Sequence, residues 1–244
     1  MSRAIRCAVT ALFLICASIA TAQNVVVPNA YTNVAAPGGS GLNTFIRDLN
    51  APRTGQLVMN ANQLTSLVGQ QIVGMNFRMF TGSTVAFPAT GATWNDYEIR
   101  VGPGGTFPVS TTFANNFSGT PTLVRDGPLT INAGNFPGTG GPPRPFGTVP
   151  IAFQTPFTYT GGNLTVEVRH TGSNIVHNPA NDFLEAVLTT DPGNNVNFAS
   201  VTATSFTATT GANATFTVVQ LIVPEPASMS LLGFGGLALV RRRR

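Results

Sequence analysis

The chain of 244 residues contains no lysine, two histidines, one tryptophan and two cysteines, and only 9% of its residues are charged. Each scarcity removes a class of function. Both cysteines, Cys7 and Cys16, fall in the first 22 residues, so the rest of the sequence offers neither a disulfide framework nor thiolate ligands for zinc. His170 and His177 stand without a second strong ligand at metal spacing, and no G-x-S-x-G elbow positions a serine nucleophile. One Trp and three Tyr give little material for sugar-stacking platforms. The formal net charge of +4 includes six arginines at the two ends, whereas Gln23 to Val223 holds seven arginines against eight carboxylates, a net of −1. No basic stripe remains there to hold a nucleic acid.

What is present is concentrated first at the ends. Arg3 and Arg6 precede an apolar run from Cys7 to Ala20 that closes in Ala20-Thr21-Ala22, a small-x-small site that predicts a secretory signal peptide cut before Gln23. The Sec translocon and signal peptidase are the partners this implies. Ile15 is too bulky before Cys16 for lipid attachment, and Arg3 and Arg6 are not adjacent, which argues against a twin-arginine route. At the other end, Pro224-Glu225-Pro226 is followed by an apolar run from Ala227 to Val240 and then by Arg241, Arg242, Arg243 and Arg244. Fourteen helical residues span about 21 Å against a hydrocarbon core of roughly 30 Å, so the run makes a poor permanent anchor. Gly233, Gly235 and Gly236 weaken its helix further, and the arginine block favours the cytoplasmic side.

This order of tripeptide, short apolar run and basic end closely resembles the PEP-CTERM sorting signal of Gram-negative bacteria. The resemblance implies an exported protein that is transiently held in the membrane by its tail. It also implies processing near the motif by an exosortase-type enzyme and a final place at the cell surface or outside the cell. The expected organisation is a signal peptide at 1–22, a secreted domain at 23–222 and the sorting signal at 223–244.

The body reads as short strands. Val25-Val26-Val27 suggests a first edge strand, and Asn60 to Leu67 a short helical turn capped by Asn60 or Asn62. In Gln71 to Phe80, Val73, Met75, Phe77 and Met79 alternate with Ile72, Gly74, Asn76 and Arg78, predicting a half-buried strand. From Trp94 to Val101 the apolar Tyr97, Ile99 and Val101 oppose Asp96, Glu98 and Arg100, with Trp94 out of phase at the start. Phe113, Phe117, Leu123, Val124, Leu129 and Ile131 are expected core contributors, and Asn135 to Pro145 a loop no strand crosses. Thr148 to Tyr159 resumes strand character, and Gly161-Gly162-Asn163 turns into Leu164, Val166 and Val168, alternating with Thr165, Glu167 and Arg169. Phe183 to Leu188, a β-prone Val196 to Thr209 and a last strand from Thr215 to Val223 follow. Short strands at roughly ten-residue spacing predict an all-β fold, an antiparallel β-sandwich of jelly-roll-like topology. Its two terminal apolar helices are expected to lie outside the fold. The stretch from Phe45 to Val187 loosely resembles a sandwich domain recurrent among PEP-CTERM proteins, a likeness that brings no activity with it.

Candidate chemistry is thin. Two carboxylate pairs, Asp96 with Glu98 and Asp182 with Glu185, have the composition of a glycoside-hydrolase site, but each is explained by its place on or beside a strand. The oxygen-rich loops Ser173 to Asp182 and Asp191 to Asn197 offer calcium ligands, Asp182 and Asp191 foremost, or simply make turns. No catalytic residue and no cofactor is assigned. The reading that follows is a non-enzymatic exported surface or matrix protein associated with extracellular polysaccharide. A lectin-like module, with calcium and an exposed Trp94 or Tyr97, is the alternative, and a hydrolase with an unrecognised site the third.

Overall fold

Gly, Pro and Asn turns cut the β-prone body into segments too short to bury themselves, so each depends on hydrogen-bonded neighbours. The computed structural model describes residues 24–37, 40–41, 45–46, 49–176 and 183–224. In chain order its strands are Val25–Val27 (β1), Ser40–Gly41 (β2), Arg53–Met59 (β3), Gln71–Phe77 (β4), Ala92–Trp94 (β5), Tyr97–Pro103 (β6), Thr122–Arg125 (β7), Leu129–Ile131 (β8), Ile151–Thr158 (β9), Leu164–His170 (β10), Leu184–Val187 (β11), Phe198–Ala203 (β12), Ala212–Ala214 (β13), Phe216–Thr217 (β14) and Val219–Ile222 (β15). Helical structure among the described residues is confined to single 3-10 turns such as Ala61–Gln63, whose cap Asn60 accepts from the backbone of Asn62.

A four-stranded sheet in the order β1-β15-β4-β9 and a six-stranded sheet in the order β13-β12-β3-β10-β6-β7 form the sandwich. Strands β14-β11-β2 and β5-β8 make two smaller sheets. The fold is all-β and its strand pairs run antiparallel. The core collects the inward alternates: Leu57 and Met59 of β3, Val166 and Val168 of β10, Ile99 and Val101 of β6, and Met75 and Phe77 of β4, all at most 1% exposed. Phe45 ties the layers, stacking on Phe77 with centroids 5.7 Å apart while its carbonyl accepts from the Tyr97 hydroxyl at 2.6 Å. The edge strand β1 lies beside β15, with Val25 opposite Leu221 and Val27 opposite Val219. At the end of that seam the backbone N–H of Val223 donates to Asn24 Oδ1 at 3.2 Å.

Two strands expected to face solvent on one side are instead covered on both. In β4 the polar alternate Asn76 is buried, and so is Arg78 just beyond the strand; in β10 Thr165 and Glu167 are at most 4% exposed. The covering chain supplies the partners that make this burial tolerable: Asn76 donates to the Gly147 carbonyl, and Thr165 to that of Asn116. Trp94 ends β5 and does not begin β6, which accounts for its phase. Leu123 and Val149 are exposed, at the edge strand β7 and in the loop before β9. The threonine-rich stretch forms a strand only over Phe198–Ala203, and Ala212–Ala214 pairs with it as β13. No helix among the described residues is long and apolar enough to cross a membrane. The apolar runs at the two ends lie outside them.

Candidate functional site

The outer face of the six-stranded sheet divides in two. Over β3 and β12, Val58, Ala199 and Val201 bury an apolar patch under Val109 and Phe113. Over β10 and β6 the covering chain stops short and leaves a cleft of about 370 Å³ lined by Arg100, Phe113, Phe117, Glu167, Arg169 and Thr209, among others. That volume lies at the lower end of the roughly 300–1,000 Å³ common for small-ligand sites.

Strand pairing brings the charged floor together. Glu167 lies opposite Arg100 and Arg169 opposite Glu98 in the β10–β6 register, with Gln56 of β3 on the other side of Glu167. The Glu167 carboxylate is 4% exposed and accepts from Arg169 Nε at 2.8 Å and Gln56 Nε2 at 2.8 Å, with Arg100 Nη1 at 3.5 Å. Gln56 is fixed in turn, since its amide also donates to the Phe113 carbonyl and its oxygen accepts from Asn116 Nδ2 at 2.9 Å. Arg100 reaches Glu98 Oε2 at 2.5 Å on its far side. The result is a chain of polar groups from the buried Asn116 outward to guanidiniums that are 31% exposed at Arg100 and 19% at Arg169. With Glu167 and Gln56 fully engaged, the network fixes the inner ends of both guanidiniums.

Close approaches shape the walls. A Cβ on Gly102 would sit 2.9 Å from Pro121 Cα and 3.2 Å from the Phe117 ring, so only glycine lets that wall close on β6. A Cβ on Gly211 would meet the Thr202 carbonyl at 2.5 Å and Phe113 at 2.9 Å. Backbone pairing of Phe113 with Thr209 and of Gly211 with Thr111 holds the opposite wall.

The residues singled out from sequence fall elsewhere. Trp94 and Tyr97 are fully buried, and His170 is sandwiched with them, its ring stacked on Tyr97 at 5.8 Å and its Nδ1 accepting from the Gly172 backbone. No stacking platform is built from this trio. Burial pushes the Tyr97 phenol far above its ordinary range. Asp191 uses one oxygen to accept from Gly193 N at 2.8 Å and the other from the Tyr31 hydroxyl at 2.7 Å, as a turn-forming residue does. Burial, and then the bond to Asp191, push Tyr31 up to about 12. Glu185 is sealed against Arg78. Asp96 and Glu98 meet Asp126, a neighbour the sequence spacing did not suggest, with carboxylate oxygens within 4.8 Å of one another. Asp182, His177, Ala20, Ala22, Gln23, Glu225, Pro226 and Arg241 to Arg244 lie outside the described residues. Pro224 is exposed, one residue after the buried Val223.

Residues 223–244 match the family model of the PEP-CTERM protein-sorting motif. No curated protein matches the chain. The chain is thus an exported protein carrying a C-terminal signal that implies membrane anchoring before processing and an exosortase as the processing partner.

Proposed function

We propose that the sandwich is a non-enzymatic module of the cell surface or extracellular matrix that associates with extracellular polysaccharide through the cleft over β6 and β10. The observation that carries this reading is the saturation of Glu167. Its carboxylate is shared among Gln56, Arg100 and Arg169, leaving no free acid–base pair across the cleft, whereas the rim offers fixed polar groups beside a phenylalanine. Most glycoside hydrolases use two carboxylates flanking the scissile bond. A rigid polar floor with an apolar wall suits binding. A calcium-assisted lectin has less support, because both oxygens of Asp191 are engaged and both Trp94 and Tyr97 are buried.

Co-sedimentation of the exported protein with exopolysaccharide from the producing cells, with and without a calcium chelator, tests the reading. Chelator-independent co-sedimentation with no release of reducing sugar is expected. A protein left wholly in the supernatant contradicts the association, and sugar release contradicts the non-enzymatic role.

A further inference from the structure

Resting on that polysaccharide reading, we infer that the cleft takes an uncharged sugar, a neutral pyranose unit of the polymer, and turns acidic units away. Charge balance is the first ground. Arg100 and Arg169 are bridged by Glu167, and Glu98 on the same face of β6 pairs with Arg100, so two guanidiniums meet two carboxylates. Asp96 and Asp126 stand beside Glu98, with carboxylate oxygens within 4.8 Å of one another. An anionic unit would meet no unanswered positive charge here and would approach these carboxylates at a like-charge cost. A cationic unit fares no better on the floor, because Glu167 is already shared among Gln56, Arg100 and Arg169.

The second ground is the hydrogen-bonding capacity that remains. Arg169 spends Nε on Glu167 and Nη1 on the Phe206 carbonyl, and Arg100 spends Nη1 and Nη2 on Glu167 and Glu98. Each keeps one nitrogen, Arg169 Nη2 and Arg100 Nε, with no protein acceptor among the described residues, and both side chains are partly open to solvent. The hydroxyls of Thr112 and Thr209, which line the cleft, make no hydrogen bond among the described residues either. Single donors and rotatable hydroxyls suit sugar OH groups, which donate and accept at one atom, whereas a carboxylate is best met by a paired fork. Phe117 completes the fit: half-buried and held against β6 by the close approach at Gly102, it offers an apolar surface to the C–H face of a pyranose.

The test is affinity electrophoresis of the purified exported protein through gels containing dextran, galactomannan, polygalacturonate or alginate, at low and high salt. At least one of the two neutral polymers is expected to retard the protein, and equally at both salt levels, since the contact has no charge to screen. The two uronate polymers should not retard it. Thr209→Val removes a hydroxyl at nearly constant shape and should weaken the neutral interaction about fivefold, the equivalent of one neutral hydrogen bond. Thr210→Val, adjacent but outside the lining, should leave it unchanged. Phe117→Ala should weaken it as well, and thermal melting of each variant separates lost binding from lost folding. Retardation by the uronate polymers, alone or as strong as by the neutral ones, or retardation that high salt abolishes, overturns the neutral assignment and leaves the polysaccharide reading intact. Retardation by none of the four, in a protein that still co-sediments with its own exopolysaccharide, overturns the neutral assignment alone. Undiminished neutral binding by folded Phe117→Ala and Thr209→Val proteins overturns the cleft as the place of contact, and failure of both assays overturns the two readings together.

Discussion

Two carboxylates in this protein are gripped by arginine, and their surroundings separate structure from function. Glu185 takes Arg78 through both oxygens at 2.8 Å, and the side chains of the pair are 0% and 1% exposed. Arg78 also donates to the carbonyls of Tyr31, Thr32 and Val34 and lies against the Phe146 ring, while Glu185 accepts from Ala36 N at 2.6 Å. This pair is a clamp that fastens the segment after β1 onto the body, and it has nothing left to offer a ligand. Glu167 is buried almost as deeply, yet its arginines reach solvent. The same ionic chemistry is closed in one place by backbone carbonyls and left open in the other by a gap in the covering chain.

The contrast is broken most severely by Glu185→Gln. Leaving Arg78 without its counter-charge should cost about 3–5 kcal/mol, read as a lower urea midpoint, and the joint replacement Arg78→Met with Glu185→Leu should recover much of it. Gln56→Ala comes next, at about 1–3 kcal/mol, because Asn116 and Glu167 both lose a buried partner. Alkaline pH has a smaller effect per step. The folded chain keeps the Tyr97 and Tyr31 protons that the unfolded chain releases near pH 10, so it binds more protons above that pH and stability falls as pH rises. The loss should begin near pH 10 and continue through about pH 12 for Tyr31, with a slope of about 1.4 kcal/mol per pH unit for the buried Tyr97. Thermal melts across that range check it. Arg169→Gln should change stability least, by under about 1 kcal/mol, because its side chain is partly solvated.

Much of the sandwich was legible from alternation alone. Period two located β4, β6 and β10, the triple valine gave the edge strand, and Asn60 capped its turn as expected. Alternation assigns faces but does not say what covers them. Arg78 and Glu185 are 107 positions apart, and Gln56 and Glu167 are 111 apart, so no local pattern announces either partnership. One signal was available for the cleft: in a chain with so few charges, Glu98, Arg100, Glu167 and Arg169 fall on two strands with matching alternation. Asp191 shows why its loop is ambiguous in sequence, since oxygens that could serve as ligands also make a turn.

The pairing of β1 with β15 bears on what loss of either terminal segment would do to the fold. Because Asn24 and Val223 are hydrogen-bonded neighbours, the first and last residues of the folded body lie at one margin of one sheet. Val223, next to the exposed Pro224, is buried. Among the described residues no strand of the two sheets lies beyond that margin, so a cut there would break no described pairing.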